Sequence, residues 1–153
     1  MQRRLFLRSA FSAAQVSVLL GLGLRPIHAL AAWPADAFHA DNIPDVERLL
    51  FGDSVIARSD KIQIDAPEIA ENGIKVPVDI SIDLPAVESV TLFSDKNPFP
   101  LLTQARLTPD VEPYLSVRVK MGDSGNLIAV VKSDGKLFRA ARAVKVTAGG
   151  CGG

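Results

Sequence analysis

The sequence is poor in the residues that most often carry chemistry. Among 153 residues there is one cysteine and there are two histidines, so no internal disulfide can form. His28 falls in the N-terminal segment and His39 ahead of the first expected helix, and two histidines with one cysteine do not make a zinc or copper cluster. The single tryptophan, Trp33, precedes the region patterned for folding, which removes the Cys…Trp…Cys framework of antibody-type domains. There is no internal repeat. Apolar stretches are weak as well: residues 10–24 are diluted by Ser12, Gln15, Ser17, Gly21 and Gly23 and make a poor membrane span.

What is present begins at the N-terminus. Arg3-Arg4-Leu5-Phe6-Leu7-Arg8 is a twin-arginine pattern, followed by the diluted apolar run and by Ala29-Leu30-Ala31, a small-x-small cleavage signal. Gln2 and Arg8 are mild departures from the commonest residues of that pattern, and Arg25 after the apolar run favours the same route. Residues 1–31 are therefore expected to be a signal peptide for export of folded cargo to the periplasm, with the mature chain starting near Ala32. That segment holds Arg3, Arg4, Arg8 and Arg25 and no acid, so the 17 basic residues less these four leave 13 against 17 acidic ones. A mildly acidic mature chain argues against nucleic acid or an anionic membrane as partner. Its length suits one domain.

The mature part reads as mostly β. Asn42 or Asp41 can cap a short helix over residues 43–51, with Pro44 early, Val46, Leu49 and Leu50 on one face and Gly52 as the stop. Ile62 and Ile64 start an alternation; after the Glu71-Asn72-Gly73 turn, Ile74, Val76, Val78, Ile80, Ile82 and Leu84 recur at every second position, the mark of a half-buried strand. Pro77 assigns that strand to an edge or a bulge. Further strands are expected over 89–94, 101–107, 114–121, 127–132 and 137–147. Asn97-Pro98-Phe99-Pro100, residues 122–126 and a tight Asp134-Gly135 hairpin supply turns between them. Six or seven short antiparallel strands predict an all-β, immunoglobulin-like sandwich over residues 32–147, preceded by one helix.

The chain ends Gly149-Gly150-Cys151-Gly152-Gly153. Glycine has no Cβ and roams most of φ/ψ space, so residues 148–153 are expected to form a slim, flexible arm around an accessible thiol. Four residues separate Thr147 from Cys151, a reach of roughly 13 Å when extended. An exposed free thiol in an oxidising compartment invites unwanted disulfides, which argues for a role rather than accident. The arm holds no His, Lys or Arg, and a flexible strip cannot fix a base or an oxyanion site beside the sulfur. Cys151 therefore reads as a covalent handle on which other proteins act, and the chain as a non-enzyme.

Taken with the twin-arginine signal and the β-rich domain, the terminal pentapeptide resembles that of the SoxY family, the sulfur-carrier subunits of the thiosulfate-oxidising Sox system. Residues 66–73 (Ala-Pro-Glu-Ile-Ala-Glu-Asn-Gly), Val76-Pro77-Val78, Asn97-Pro98-Phe99-Pro100 and Arg118-Val119-Lys120-Met121 support the likeness. The resemblance implies that Cys151 is the attachment point for thiosulfate and its sulfur derivatives. It further implies a heterodimer with a SoxZ-like subunit. A cytochrome complex would attach the substrate, a hydrolase would release sulfate, and in many systems a sulfur dehydrogenase would oxidise the remaining sulfane. No resident cofactor or metal is implied.

A second reading stays open on the residues alone: an exported β-sandwich assembly or adhesion module whose Cys151 makes an intermolecular disulfide. Other candidates are weaker. Asp79 and Asp83 read as a solvated or partner-facing row rather than an acid-base pair. Leu92, Phe93, Phe99, Leu101 and Leu102 gather around one turn as core, with some free to face a partner.

Overall fold

The computed structural model describes residues 34–147. The expected signal with Arg3, Arg4 and His28, and the arm with Gly149, Gly150, Cys151, Gly152 and Gly153, lie outside the described residues. Two short helices come first, α1 (Ala35–His39) and α2 (Ile43–Phe51). Nine strands follow: β1 (Ile56–Arg58), β2 (Ile62–Asp65), β3 (Ile69–Ala70), β4 (Val76–Ile82), β5 (Val87–Ser94), β6 (Leu101–Arg106), β7 (Tyr114–Val119), β8 (Gly125–Ser133) and β9 (Lys136–Val146).

α2 forms where its caps dictate. The Asn42 side chain accepts from the Asp45 N–H, Pro44 sits in the first turn, and Gly52 takes φ 63° at the end, a conformation costly to residues with a Cβ. Val46 is fully buried and Ile43 and Leu50 partly so, a spacing that places them on one helix face. Leu49, expected on that face, is 56% exposed, because it lies one residue off the stripe. α1 was not anticipated. It has five residues and no side-chain cap, too few for a period to register.

The strands make two sheets. One runs β1-β9-β8-β5-β6, with β3 also on β9; the other runs β2-β4-β7. The sandwich is as expected, with two corrections: the described residues form nine strands, and β1 and β3 pair with β9 in parallel rather than antiparallel. These strands have three and two residues, too short to alternate visibly, and β9's edge organises both. β4 is the middle strand of its sheet, yet β2 stops at the pair Asp65↔Asp79. At Pro77 the strand has a neighbour on one side only, where a missing N–H is tolerated. Ile74 and Leu84, expected in the strand, flank it, and Ile74 is 59% exposed.

Side-chain alternation divides the core. Val76, Val78 and Ile80 of β4 meet Val90 and Leu92 of β5 and Leu127, Ala129 and Val131 of β8 between the sheets. From the opposite face of the larger sheet, Phe93, Leu101, Val130 and Leu137 pack on Ala37 of α1 and Val46 of α2. Both faces of β5 and β8 are thus covered, so consecutive residues such as Leu92 and Phe93 of β5 and Val130 and Val131 of β8 are buried rather than alternate ones. Of the turn cluster, Leu92, Phe93 and Leu101 are core and Phe99 is 54% exposed. The two-residue β8–β9 turn has Asp134 at φ 48° and Gly135 at φ 70° between the paired Ser133 and Lys136, the primed geometry that matches strand twist.

Candidate functional site at the end of strand β9

The last described residues lead directly to Cys151, and the fold fixes them from two sides. β9 carries Phe138, Ala140, Val144 and Val146 toward the core between the sheets. Odd-numbered residues near its end turn their N–H groups to the β3 side: Lys145 N–H donates to the Glu68 carbonyl (2.9 Å) and Thr147 N–H to the Ala70 carbonyl (3.0 Å). The Thr147 hydroxyl adds a bond to the Glu71 carbonyl at 3.3 Å. On the opposite edge β8 has already ended, its last pair being Gly125↔Val144. There the Ser124 hydroxyl accepts from Val146 N–H at 2.9 Å and donates to the Val146 carbonyl at 3.3 Å.

The loop carrying Ser124 is itself braced. The Asn97 side chain donates to the Lys120 carbonyl (2.7 Å) and accepts from Gly122 N–H (2.8 Å). Asp95 accepts from the backbone and side-chain nitrogens of Asn126, both at 2.7 Å. Met121 N–H donates to the Gly73 carbonyl at 2.7 Å. Three segments singled out in the sequence, residues 66–73, 97–100 and 118–121, therefore converge on the strand end that precedes the arm. The sequence did not reveal this convergence, nor the part of Ser124, since hydrogen bonds to backbone atoms leave no residue pattern.

The remaining candidates are not brought together. The Asp79 carboxylate accepts from the Tyr114 hydroxyl at 2.5 Å. Hydrogen bonds from Ser116 and Tyr114, with Arg118 nearby, hold it below its ordinary range, and Asp79 in turn pushes the Tyr114 phenol up. Asp83 instead lines an open concavity of about 480 Å³ with Asp60, Lys61, Gln63 and Tyr114. Four residues along an extended chain separate the two carboxylates by roughly 13 Å, with no shared proton. His39 stacks edge-to-face on Phe99, ring centroids 6.5 Å apart. Among the described residues no group of three His, Cys, Asp or Glu could hold a metal ion, and no helix is long and apolar enough to cross a membrane.

The family model described as "Sulfur oxidation protein SoxY" matches residues 47–151, a span that takes in all nine strands and ends on Cys151 itself. The chain belongs to the SoxY family. Consistent with that membership, the solved structure of the sulfur carrier protein SoxY from Chlorobium limicola f thiosulfatophilum is 40% identical, with a TM-score of 0.63 over 68% of this chain and 94% of that one. A superoxide reductase (neelaredoxin) from Ignicoccus hospitalis is 24% identical, with a TM-score of 0.52 over 56% of this chain and 80% of that one. A variant of the same reductase gives 23% and 0.52 over 67% and 91%. These reductases share the sandwich alone. No curated protein matches. Relative to the SoxY match, α1 and the first turn of α2 lie ahead of the matched span.

Proposed function

We propose that this SoxY-family chain is a covalent sulfur carrier rather than a catalyst, holding its cargo on Cys151 while partner enzymes act on it. One observation carries the reading: the chain's only thiol follows, at a distance of four residues, a strand end secured on both edges, in a family match that runs to that thiol. The sequence places no basic side chain in residues 148–153 to activate the thiol. A rigid sandwich would act as the handle, and a glycine arm would present the sulfur to a narrow cleft.

The chemistry balances with an external oxidant. Attachment joins the Cys151 sulfur to the outer sulfur of thiosulfate, giving Cys–S–S–SO₃⁻ and releasing one proton and two electrons to a cytochrome partner. Hydrolysis then breaks the bond between the sulfane sulfur and the sulfonate: water supplies an oxygen, sulfate and two protons leave, and Cys–S–S⁻ remains for a sulfur dehydrogenase or another acceptor. The twin-arginine pattern at Arg3 and Arg4 supports export of the folded chain to the periplasm. A SoxZ-like subunit without its own signal would travel bound to it. The domain division is a signal over 1–31, the sandwich over 32–147 and the arm over 148–153.

Intact-mass analysis of the protein from cells grown on thiosulfate tests this. Reducible sulfur adducts are expected on the native chain and none on Cys151→Ser. A stable Cys151–Cys151 disulfide dimer alone would sink the carrier reading and leave the assembly module, and a bare thiol that thiosulfate-oxidising extracts ignore would sink the carrier reading as well.

A further inference from the structure

We propose that the free edge of β7 docks a second copy of this chain, the two strands pairing antiparallel about a two-fold axis at Ser116. The proposal goes beyond the carrier reading and does not rest on it. Ile82 N–H donates to the Pro113 carbonyl at 3.2 Å, and in the register that follows the odd-numbered residues of β7, Leu115, Val117 and Val119, bond to β4. The even-numbered ones turn their backbone groups outward. At one end Tyr114 N–H is met by the Glu112 carbonyl at 2.8 Å, and at the other the Lys120 carbonyl is met by the Asn97 side chain at 2.7 Å. Between these stops, no group among the described residues bonds the N–H or C=O of Ser116 or Arg118.

Open edges are normally short, bulged or guarded by Lys or Pro. β1 and β2 have three and four residues, and β6 carries an extra residue, Leu102, opposite the step from Leu92 to Phe93. β7 runs six residues in unbroken register with neither Lys nor Pro. Its sequence also complements itself. Centred on Ser116, an antiparallel pair sets Tyr114 opposite Arg118 of the second copy on the outer face, and Leu115 opposite Val117 of the second copy on the inner face. Tyr114 is 46% exposed, and Leu115 and Val117 are half-buried against the core, so the pairing adds cation–π and apolar contacts and opposes no like charges. Moving the axis to Val117 sets the two Arg118 side chains diagonally across from each other, and moving it to Leu115 pushes Arg118 past the end of the other strand. With the axis at Ser116, that residue exchanges N–H and C=O with its counterpart, and Arg118 N–H donates to the Tyr114 carbonyl of the second copy. One strand edge is a small interface, so the dimer is weak and concentration-dependent.

Sedimentation velocity of the full chain, kept reduced so that no disulfide contributes, tests the surface across a concentration series into the submillimolar range. A dimer that grows with concentration is expected. The amides of Ser116 and Arg118 should gain exchange protection as it forms, and that of Val117, already bonded to β4, should gain less. Ser116 is exposed, so Ser116→Lys and Ser116→Glu leave the core intact while each sets like charges opposite one another at the axis. Each should move dimerisation to about three- to tenfold higher concentration. Mixing the two variants sets Lys opposite Glu and should restore a mixed dimer at native concentrations or below. A native chain that stays monomeric, equal dimerisation of native and variant chains, or no recovery on mixing overturns the proposal. So does protection of Ser116 and Arg118 that arises only when a different subunit is added, which would make that subunit the occupant of the edge.

Discussion

The Tyr114 hydroxyl donates to the Asp79 carboxylate across the β4–β7 ladder at 2.5 Å, on the outer face of the smaller sheet. Ser116, the register partner of Asp79, donates as well and is the larger cause of the carboxyl's lowered pKa. A depressed folded pKa contributes stability that is present above the unfolded value of 3.8 and lost as pH falls through the folded one. Tyr114 runs the other way: its raised pKa contributes stability below the ordinary 10.0 that is lost as pH rises through the folded value. Carboxyl NMR titration should show the Asp79 pKa rising in Ser116→Ala and, by less, in Tyr114→Phe. An Asp79 titration unchanged in both variants would show that these bonds do not form in solution.

Glu47 on α2 and Arg139 on β9 form an ion pair with side chains 20% and 33% exposed, and Arg139 Nε is buried without a partner. The pair ties the helical layer to the central sheet, and removing one member leaves a half-buried charge. Glu47→Ala is expected to cost about 1–3 kcal/mol, read as a lower urea midpoint at unchanged slope. Glu47→Leu with Arg139→Met should recover most of that loss, since paired apolar replacements of an ion pair are often neutral.

Gly125 opens β8 beside the 95–97 turn. A Cβ there would sit 2.4 Å from Asp95 Oδ1 and 2.6 Å from Lys96 Cγ. Lys96 can swing away, but Asp95 is engaged by both nitrogens of Asn126. Gly125→Ala should therefore destabilise by about 1–3 kcal/mol, and relative to the native protein its Asn126 amide exchange should accelerate by more than that of Val90 in the core. Equal acceleration at both positions, or none at either, would mean that the clash is absorbed elsewhere.

How much of this was legible in the sequence varies with the kind of interaction. The Asn42 cap, the Asp134-Gly135 turn and the alternation through Val76, Val78 and Ile80 were readable because each is a local rule of backbone or side-chain geometry. β1 and β3 were not, because three and two residues carry no period and their pairing belongs to β9. The both-faced burial of β5 blurred alternation for the same reason that it created a second core under α1 and α2. At the candidate site, Cys151 announced itself by composition. The clamp of Ser124, Glu68, Ala70 and Asn97 around residues 145–147 did not, since most of its bonds use backbone atoms that every residue possesses.

Glycines flanking Cys151 make the final prediction. If the arm enters a narrow cleft, what counts is that it has no side-chain bulk and can take backbone conformations closed to other residues. Gly150→Pro fixes one φ near −65° and Gly152→Val adds a branched side chain next to the thiol. Both positions follow β9, the last described strand, so thermal stability should stay within about 0.5 kcal/mol of native. Turnover of the Cys151 adduct by partner enzymes should fall in both variants, while alkylation by a small reagent stays at the native rate. That combination separates access by an enzyme cleft from reactivity of the thiol. Native turnover in both variants would show that slimness and mobility of the arm play no part in presenting the sulfur.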